Sequence, residues 1–186
     1  MSDKEKNPWK TLSTEVKFET PWIKVTKHDI LNPAGNPGLY GVVTFKNLAI
    51  GVIPIDNENN TWLVGQWRYP LDQYSWEIPE GGGPLDEKPL DSAKRELKEE
   101  TGIVAKKYTE LARMHTSNSA TTEYAILFVA QDLEFHEAEP EESEDLQIKK
   151  LPFIEAYNMV LTGKITDSLS MIAILKAKIL MDEGKL

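Results

Sequence analysis

Between Gly81 and Ile103 the chain reads GGGPLDEKPLDSAKRELKEETGI. Leu90, Ala93 and Leu97 recur at helical spacing and predict a helix from about Pro89 to Thr101, ended by Gly102 as its C-cap. The glycines 81 to 83 with Pro84 predict a loop before it. On that helix Glu96, Glu99 and Glu100 stand at i, i+3 and i+4, so one face presents three carboxylates. Like charges at this spacing cost about 0.2–0.5 kcal/mol per pair, and two readings follow. The face is simply solvated, as most Glu-rich helical stretches are, or it holds a hard divalent cation, because oxygen-only donor sets are what magnesium and manganese select.

Outward from this segment, strands and helices alternate. Upstream, VKFE, WIKVTKHDI and LYGVVTF, with a turn cluster from Asn32 to Gly38, predict a small antiparallel β unit. LAIGVIPI and TWLVGQWRY, separated by a polar turn at Asp56 to Asn60, predict a hairpin entering a central sheet. Downstream, strands are expected around Tyr108 to His115 and Thr122 to Leu133, the second carrying the dense apolar run YAILFVA. An acid-rich loop, HEAEPEESED, leads to a last strand, LQIKKLPF. Two helices, near Phe153 to Leu161 and Ser168 to Met181, close the chain with Gly163 between them. Interleaved elements of both kinds predict an α/β (α+β) class with a mixed sheet. The boundary is expected at residue 46, with the β unit over 1–46 and the main domain over 47–186.

Composition narrows the function. Hydrophobic residues make up 40% of the 186 and charged residues 27%, as in an ordinary folded domain. With no cysteine there is no disulfide, thiolate metal site or cysteine nucleophile, which fits a reducing cytoplasm. No stretch approaches the roughly 18–20 apolar residues of a membrane span, so no membrane partner is expected. A net charge of −9 repels a phosphate backbone at long range and disfavours nucleic acid as a partner. A small phosphorylated ligand remains compatible if bound cations invert the local field.

The whole pattern decides between the two readings of the acid face. Gly81, Glu87, Arg95-Glu96-Leu97, Glu99-Glu100 and Gly102-Ile103 resemble the signature of the Nudix hydrolases at all nine specified positions. Chance agreement on background frequencies is about one in a million or rarer. The resemblance implies a mixed sheet sandwiched between helices and a cleaved diphosphate linkage. It also implies magnesium, or manganese, held by Glu96, Glu99 and Glu100 with a backbone carbonyl near Glu80 and Gly81. Glycine there lets the main chain approach closely. Arg95, with its long fork, reads as a structural partner of these carboxylates, and Glu87 near the helix start as a supporting acid.

Beyond the motif, WLVGQWRYPLDQYSWEIPEGGG, the acidic loop and the tail FIEAYNMVLTGKITDSLSMIAIL look like the branch that hydrolyses ADP-ribose and nucleoside diphosphate sugars. That branch implies a homodimer paired through the N-terminal strands. It also implies a glutamate opposite the metal helix that takes a proton from the attacking water, a place matched by Glu142 with Glu144 as alternative. Arg68, at a strand end, is expected to pair with a substrate phosphate, against the plainer reading of a surface ion pair. Trp22, Trp67, Tyr69 and Trp76 fall in segments expected near the pocket, where one or two would stack on a base. Of these, Trp22 and Tyr69 are the substrate-binding candidates. Glu123, in SNSATTE, is a further candidate near the sugar or phosphates. The three histidines, His28, His115 and His136, lack metal-ligand spacing.

ADP-ribose-specific members carry a proline some way beyond the motif where this chain has Asn118, and no proline lies between Pro89 and Pro140. A nucleoside diphosphate hexose is therefore an equal candidate substrate. Other readings are hydrolysis of nucleoside triphosphates or dinucleoside polyphosphates, a nucleotide-sugar sensor that does not cut, and an acidic interaction module.

Overall fold

The computed structural model describes residues 5–138 and 145–186, which form two compact units. The first comprises the residues up to Asn47 together with Ser117–Glu123, and the second the remainder. In the first unit β1 (Lys10–Glu19), β2 (Ile23–Leu31) and β3 (Pro37–Phe45) make an antiparallel meander in the order β1-β2-β3. Asn32 builds the turn that the Asn/Pro/Gly cluster predicts, its Oδ1 accepting from the N–H groups of Ala34 at 3.0 Å and Asn36 at 2.9 Å. Gly35 supplies the positive φ of 82° that the turn requires. The distant segment Ser117–Glu123 joins this unit by backbone bonds between Val43 and its neighbours Ala120 and Thr122.

The second unit carries the core. Its four-stranded sheet runs β7 (Glu80–Pro84), β4 (Asn47–Pro54), β9 (Tyr124–Phe135), β8 (Ile103–His115). β4 and β9 are parallel while β8 and β9 are antiparallel, so the sheet is mixed as the alternation of elements predicts. YAILFVA lies on β9, and its residues divide by parity between two cores. Ala125, Leu127 and Val129 pack with Phe153, Ala156, Leu169, Ala173 and Ala177, while Ile126, Phe128 and Ala130 pack with Ala93 and Leu97. The first set of partners lies on α2 (Phe153–Leu161) and α3 (Ser168–Asp182), the second on α1 (Pro89–Thr101). A strand buried on both faces reads as a continuous apolar run for this reason.

Two expectations need correction. LAIGVIPI and TWLVGQWRY do not form a hairpin. β4 belongs to the mixed sheet, whereas β5 (Asn60–Arg68) lies between β10 (Gln147–Pro152) and β6 (Gln73–Glu77) in a separate antiparallel sheet. The turn between them is tight, with Asp56 Oδ1 accepting from Asn60 N at 2.7 Å and Glu58 N at 2.9 Å. Only the isolated bridge Ile55–Thr61 follows it before the chain diverges into the second sheet. The glycines after Glu80 are not a loop either; they form edge strand β7. A Cβ at Gly83 would meet Ile50 at 2.8 Å and Ser92 Oγ at 3.0 Å, so glycine here marks close approach to β4 and α1 rather than a turn. No helix among the described residues is long and apolar enough to cross a membrane.

Candidate active site

α1 begins with proline at its first turn and ends on Gly102, whose φ of 70° suits the left-handed cap and whose N–H donates to Lys98 O. Its apolar residues Ala93 and Leu97 are fully buried and fix which way the acids point. The acid face is not a solvated one. Glu96 is 8% exposed and Glu100 1%, while Glu99 is about one-third exposed. Burying carboxylates costs several kcal/mol each unless something compensates, and here the compensation is built from the strand and the helix. Glu80 N–H donates to Glu100 Oε2 at 2.9 Å. Arg95 donates to Glu99 at 3.0 Å and to Gly82 O at 2.9 Å, and its Nη1 lies 2.8 Å from Glu96 Oε1. Burial opposes the charge on Arg95, but Glu96 and Glu99 outweigh it and hold the pKa above the ordinary arginine value. Arg95 is thus the structural partner its fork suggested. Glu87 accepts a hydrogen bond from Ser92 Oγ and ties the helix start to the preceding turn.

Gly81 touches this face directly. A Cβ there would sit 2.3 Å from Glu96 Oε2 and 2.6 Å from Oε1, so only a residue without a side chain leaves the Glu96 carboxylate where it is. The face offers only anionic oxygens, the donor type that magnesium and manganese select, and main chain holds Glu100 directly. Its three carboxylates do not converge within 4.8 Å of one another as those of Glu77, Glu80 and Asp167 do.

A second charged cluster was not legible in the sequence. Arg68, at the end of β5, donates from Nε to Glu77 at 2.9 and 3.0 Å, from Nη2 to Glu77 as well, and from Nη2 to Glu80 Oε1 at 3.0 Å. Carboxylate oxygens of Glu77, Glu80 and Asp167 all lie within 4.8 Å of one another. Asp167 also caps α3, accepting from Ser170 N at 2.7 Å. Burial opposes the charge on Arg68, yet Glu77 in the first place, then Glu80 and Asp167, keep it firmly protonated. Burial, with Asp167 and Glu77 adding repulsion, pushes the Glu80 carboxyl well above the ordinary range despite Arg68. Its Oε2 is buried without a hydrogen-bond partner. The one sequence signal for this cluster was a glutamate immediately before Ile78-Pro79 at a buried strand position, together with an N-cap aspartate ahead of the last helix.

These positions separate Glu77 from Glu80 experimentally. Glu77→Gln breaks a charge-assisted fork and is expected to cost about 1–2 kcal/mol, below the full value for such bonds because Arg68 is partly open to solvent. Glu80→Gln mimics the protonated acid and is expected to leave stability at neutral pH unchanged or raised. A raised folded-state pKa contributes stability that is complete below the unfolded value and lost as pH rises through the folded one. Thermal melts from pH 5 upward should therefore show the parent losing ground to Glu80→Gln as pH increases. A gap that stays constant would show that Glu80 is ionised throughout.

The remaining candidates fall on different elements. Trp22 is 67% exposed in the first unit, and Tyr69 is 90% exposed on a single 3-10 turn after β5. Glu123 lies in the first unit, its N–H 3.4 Å from Thr121 Oγ1. Glu142 and Glu144 fall outside the described residues.

Comparison with known proteins agrees with the motif. Residues 45–168 match the NUDIX domain, and residues 9–43 match the nucleoside diphosphate sugar hydrolase N-terminal domain. An ADP-ribose pyrophosphatase of Bacillus subtilis (strain 168) is 30% identical over 167 residues, covering 89% of this chain and 90% of that protein. A methanol dehydrogenase activator of Bacillus methanolicus is 34% identical over 167 residues, with the same coverage of 89% and 90%. An ADP-ribose pyrophosphatase of Mycobacterium tuberculosis (strain ATCC 25618 / H37Rv) is 28% identical, covering 90% of this chain and 82% of that one. The crystal structure of an ADP compounds hydrolase shares the fold with a TM-score of 0.84 at 21% identity, over 96% of this chain and 97% of its own. These matches show a pyrophosphohydrolase, and the chain belongs to the Nudix hydrolase family.

Proposed function

We propose that the chain hydrolyses the diphosphate bond of ADP-ribose or a nucleoside diphosphate sugar, releasing a nucleoside monophosphate and a sugar phosphate, with magnesium or manganese on the acid face of α1. The observation that carries this reading is the burial of Glu96 and Glu100 beside Glu99. A solvated acidic face would not be packed against Gly81 and the Glu80 N–H. The match to a nucleoside diphosphate sugar hydrolase N-terminal domain and the two relatives named ADP-ribose pyrophosphatase support the substrate class.

When bound, a divalent ion supplies charge neutralisation on the diphosphate oxygens and lowers the pKa of water. The chain's own residues do the rest. Glu96, Glu99 and Glu100 present the donors, and Arg95 holds two of them with the Gly82 carbonyl in one orientation. Arg68 is clamped through Nε and Nη2, which leaves its Nη1 edge for a substrate phosphate. Glu142, or Glu144, takes the proton from the attacking water. In the first unit every residue of β1 is exposed, and Leu12, Val16 and Phe18 stand more than half open, which supports pairing with a second copy as a homodimer.

The test is a panel of ADP-ribose, ADP-, GDP- and UDP-linked hexoses, a nucleoside triphosphate and a dinucleoside polyphosphate, each with magnesium and with chelator. Products are separated by chromatography. Magnesium-dependent release of a nucleoside monophosphate from ADP-ribose or a linked hexose is expected. Turnover confined to the triphosphate or the polyphosphate would overturn the substrate class, and tight binding without any turnover would make the chain a sensor.

A further inference from the structure

A groove of about 620 Å³ lies in the second unit, lined by Trp76, Lys149, Glu155, Asn158, Met159, Thr162 and Lys164. It contains none of the carboxylates of the α1 face. Its volume falls in the usual range for small-molecule sites, and the strand register places its one aromatic residue, Trp76. Gln147, Gly65 and Trp76 stand opposite one another across β10, β5 and β6. A Cβ at Gly65 would collide with the Tyr74 hydroxyl and meet the Trp76 ring at 2.8 Å, so the indole lies against β5 because position 65 has no side chain.

The opposite wall is one stripe of α2 continued by its C-cap, Thr162. Glu155, Asn158, Met159 and Thr162 are spaced i, i+3, i+4 and i+7, while Phe153, Ala156 and Val160 point into the core. Lys149 and Lys164 complete the lining, with Lys149 Nζ 5.5 Å from the Trp76 ring centroid. Among the described residues neither lysine has a carboxylate partner, and the Glu155 and Asn158 side chains find no hydrogen bond or ion pair there either. Lys149 and Lys164 outnumber the one acid of the lining, Glu155, so the groove carries a net positive charge in a chain of net charge −9 and suits an anion. The indole offers a face to a planar ring. Glu155 and Asn158 offer acceptors to hydroxyl groups, which a ribose has and a bare phosphate lacks.

We propose that this groove binds a nucleoside monophosphate, with its base against Trp76, its ribose hydroxyls toward Glu155 and Asn158, and its phosphate between Lys149 and Lys164. The ligand is of the same class as the proposed product, so the groove would retain or sense it. The argument depends on the groove alone and stands whether or not the hydrolytic reading does.

Calorimetric titration of the full chain with adenosine 5′-monophosphate in the presence of EDTA tests it, because chelation removes any contribution of metal on α1 and makes the readout independent of turnover. Saturable one-site binding is expected. It should weaken about tenfold or more in Lys149→Glu and in Lys164→Glu, both exposed enough to fold normally. Ribose 5-phosphate, adenosine and inorganic phosphate, each lacking one part of the ligand, should bind correspondingly less well. Absence of saturable binding at millimolar ligand, equal affinity in both lysine variants, or inorganic phosphate binding as tightly as the nucleotide would each overturn the proposal.

Discussion

Glu99→Gln is expected to reduce kcat by about 10²–10⁴-fold, which corresponds to the loss of several kcal/mol of transition-state stabilisation that the proposed metal-binding role assigns to this carboxylate. The same change should leave unfolding free energy within about 0.5 kcal/mol of the parent. The two effects separate because of where Glu99 sits. Unlike Glu96 and Glu100 it is one-third open to solvent, and it pairs with Arg95 at i−4, a partly exposed helix pair. Such pairs contribute only about 0.3–0.5 kcal/mol. Arg95 keeps Glu96 and the Gly82 carbonyl when Glu99 is neutralised, so the local architecture persists. Steady-state hydrolysis of the best substrate from the panel, paired with a denaturant melt, reads both quantities. Near-parental turnover would show that the acid face does not carry the chemistry.

Gly81→Ala is the second large effect, expected at about 10- to 100-fold in activity, the range for groups that orient metal ligands. The added methyl would lie 2.3–2.6 Å from all three atoms of the Glu96 carboxyl group. A carboxylate at the end of a flexible side chain can rotate away, so the fold survives. Gly81 is not among the positive-φ positions, and alanine there meets no left-handed backbone. Replacing glycine at an unstrained position even favours the folded state by about 0.4–1 kcal/mol through the unfolded chain. Stability that holds while activity falls is the expected signature. Full activity would show that Glu96 can work from another rotamer, whereas a large loss of stability would move the glycine's role from the site to the sheet.

Local signals were readable in the sequence wherever one element decides its own structure. The period of Leu90, Ala93 and Leu97 places α1, Gly102 ends it, and the density of YAILFVA marks a strand, which the fold covers on both sides. The errors came where a residue type has two uses. Glycine before α1 reads as a turn by propensity, yet Gly81 and Gly83 serve close approach within β7, and only the packed partners Glu96 and Ile50 reveal that. Two apolar runs around a short polar turn read as a hairpin, yet the turn held by Asp56 delivers them to different sheets. The Glu77–Arg68–Glu80–Asp167 cluster draws on β5, β6, β7 and the cap of α3. No periodicity within one element can announce a group assembled from four.

That assembly also bears on how the protein can be shortened. The backbone that links β6 to the first residue of β7 is steadied from two helices. Ile78 N–H donates to Ser170 Oγ at 2.9 Å, and two residues on the next N–H donates to Glu100. The hydroxyl is fully buried and comes from a residue 92 positions later in the chain. A fragment trimmed around the signature segment, or a chain stopped before the final helix, would keep every acid of α1 and lose the brace that aligns the strand beneath them. Engineering that grafts this centre onto another scaffold would have to carry the C-terminal helix along with it.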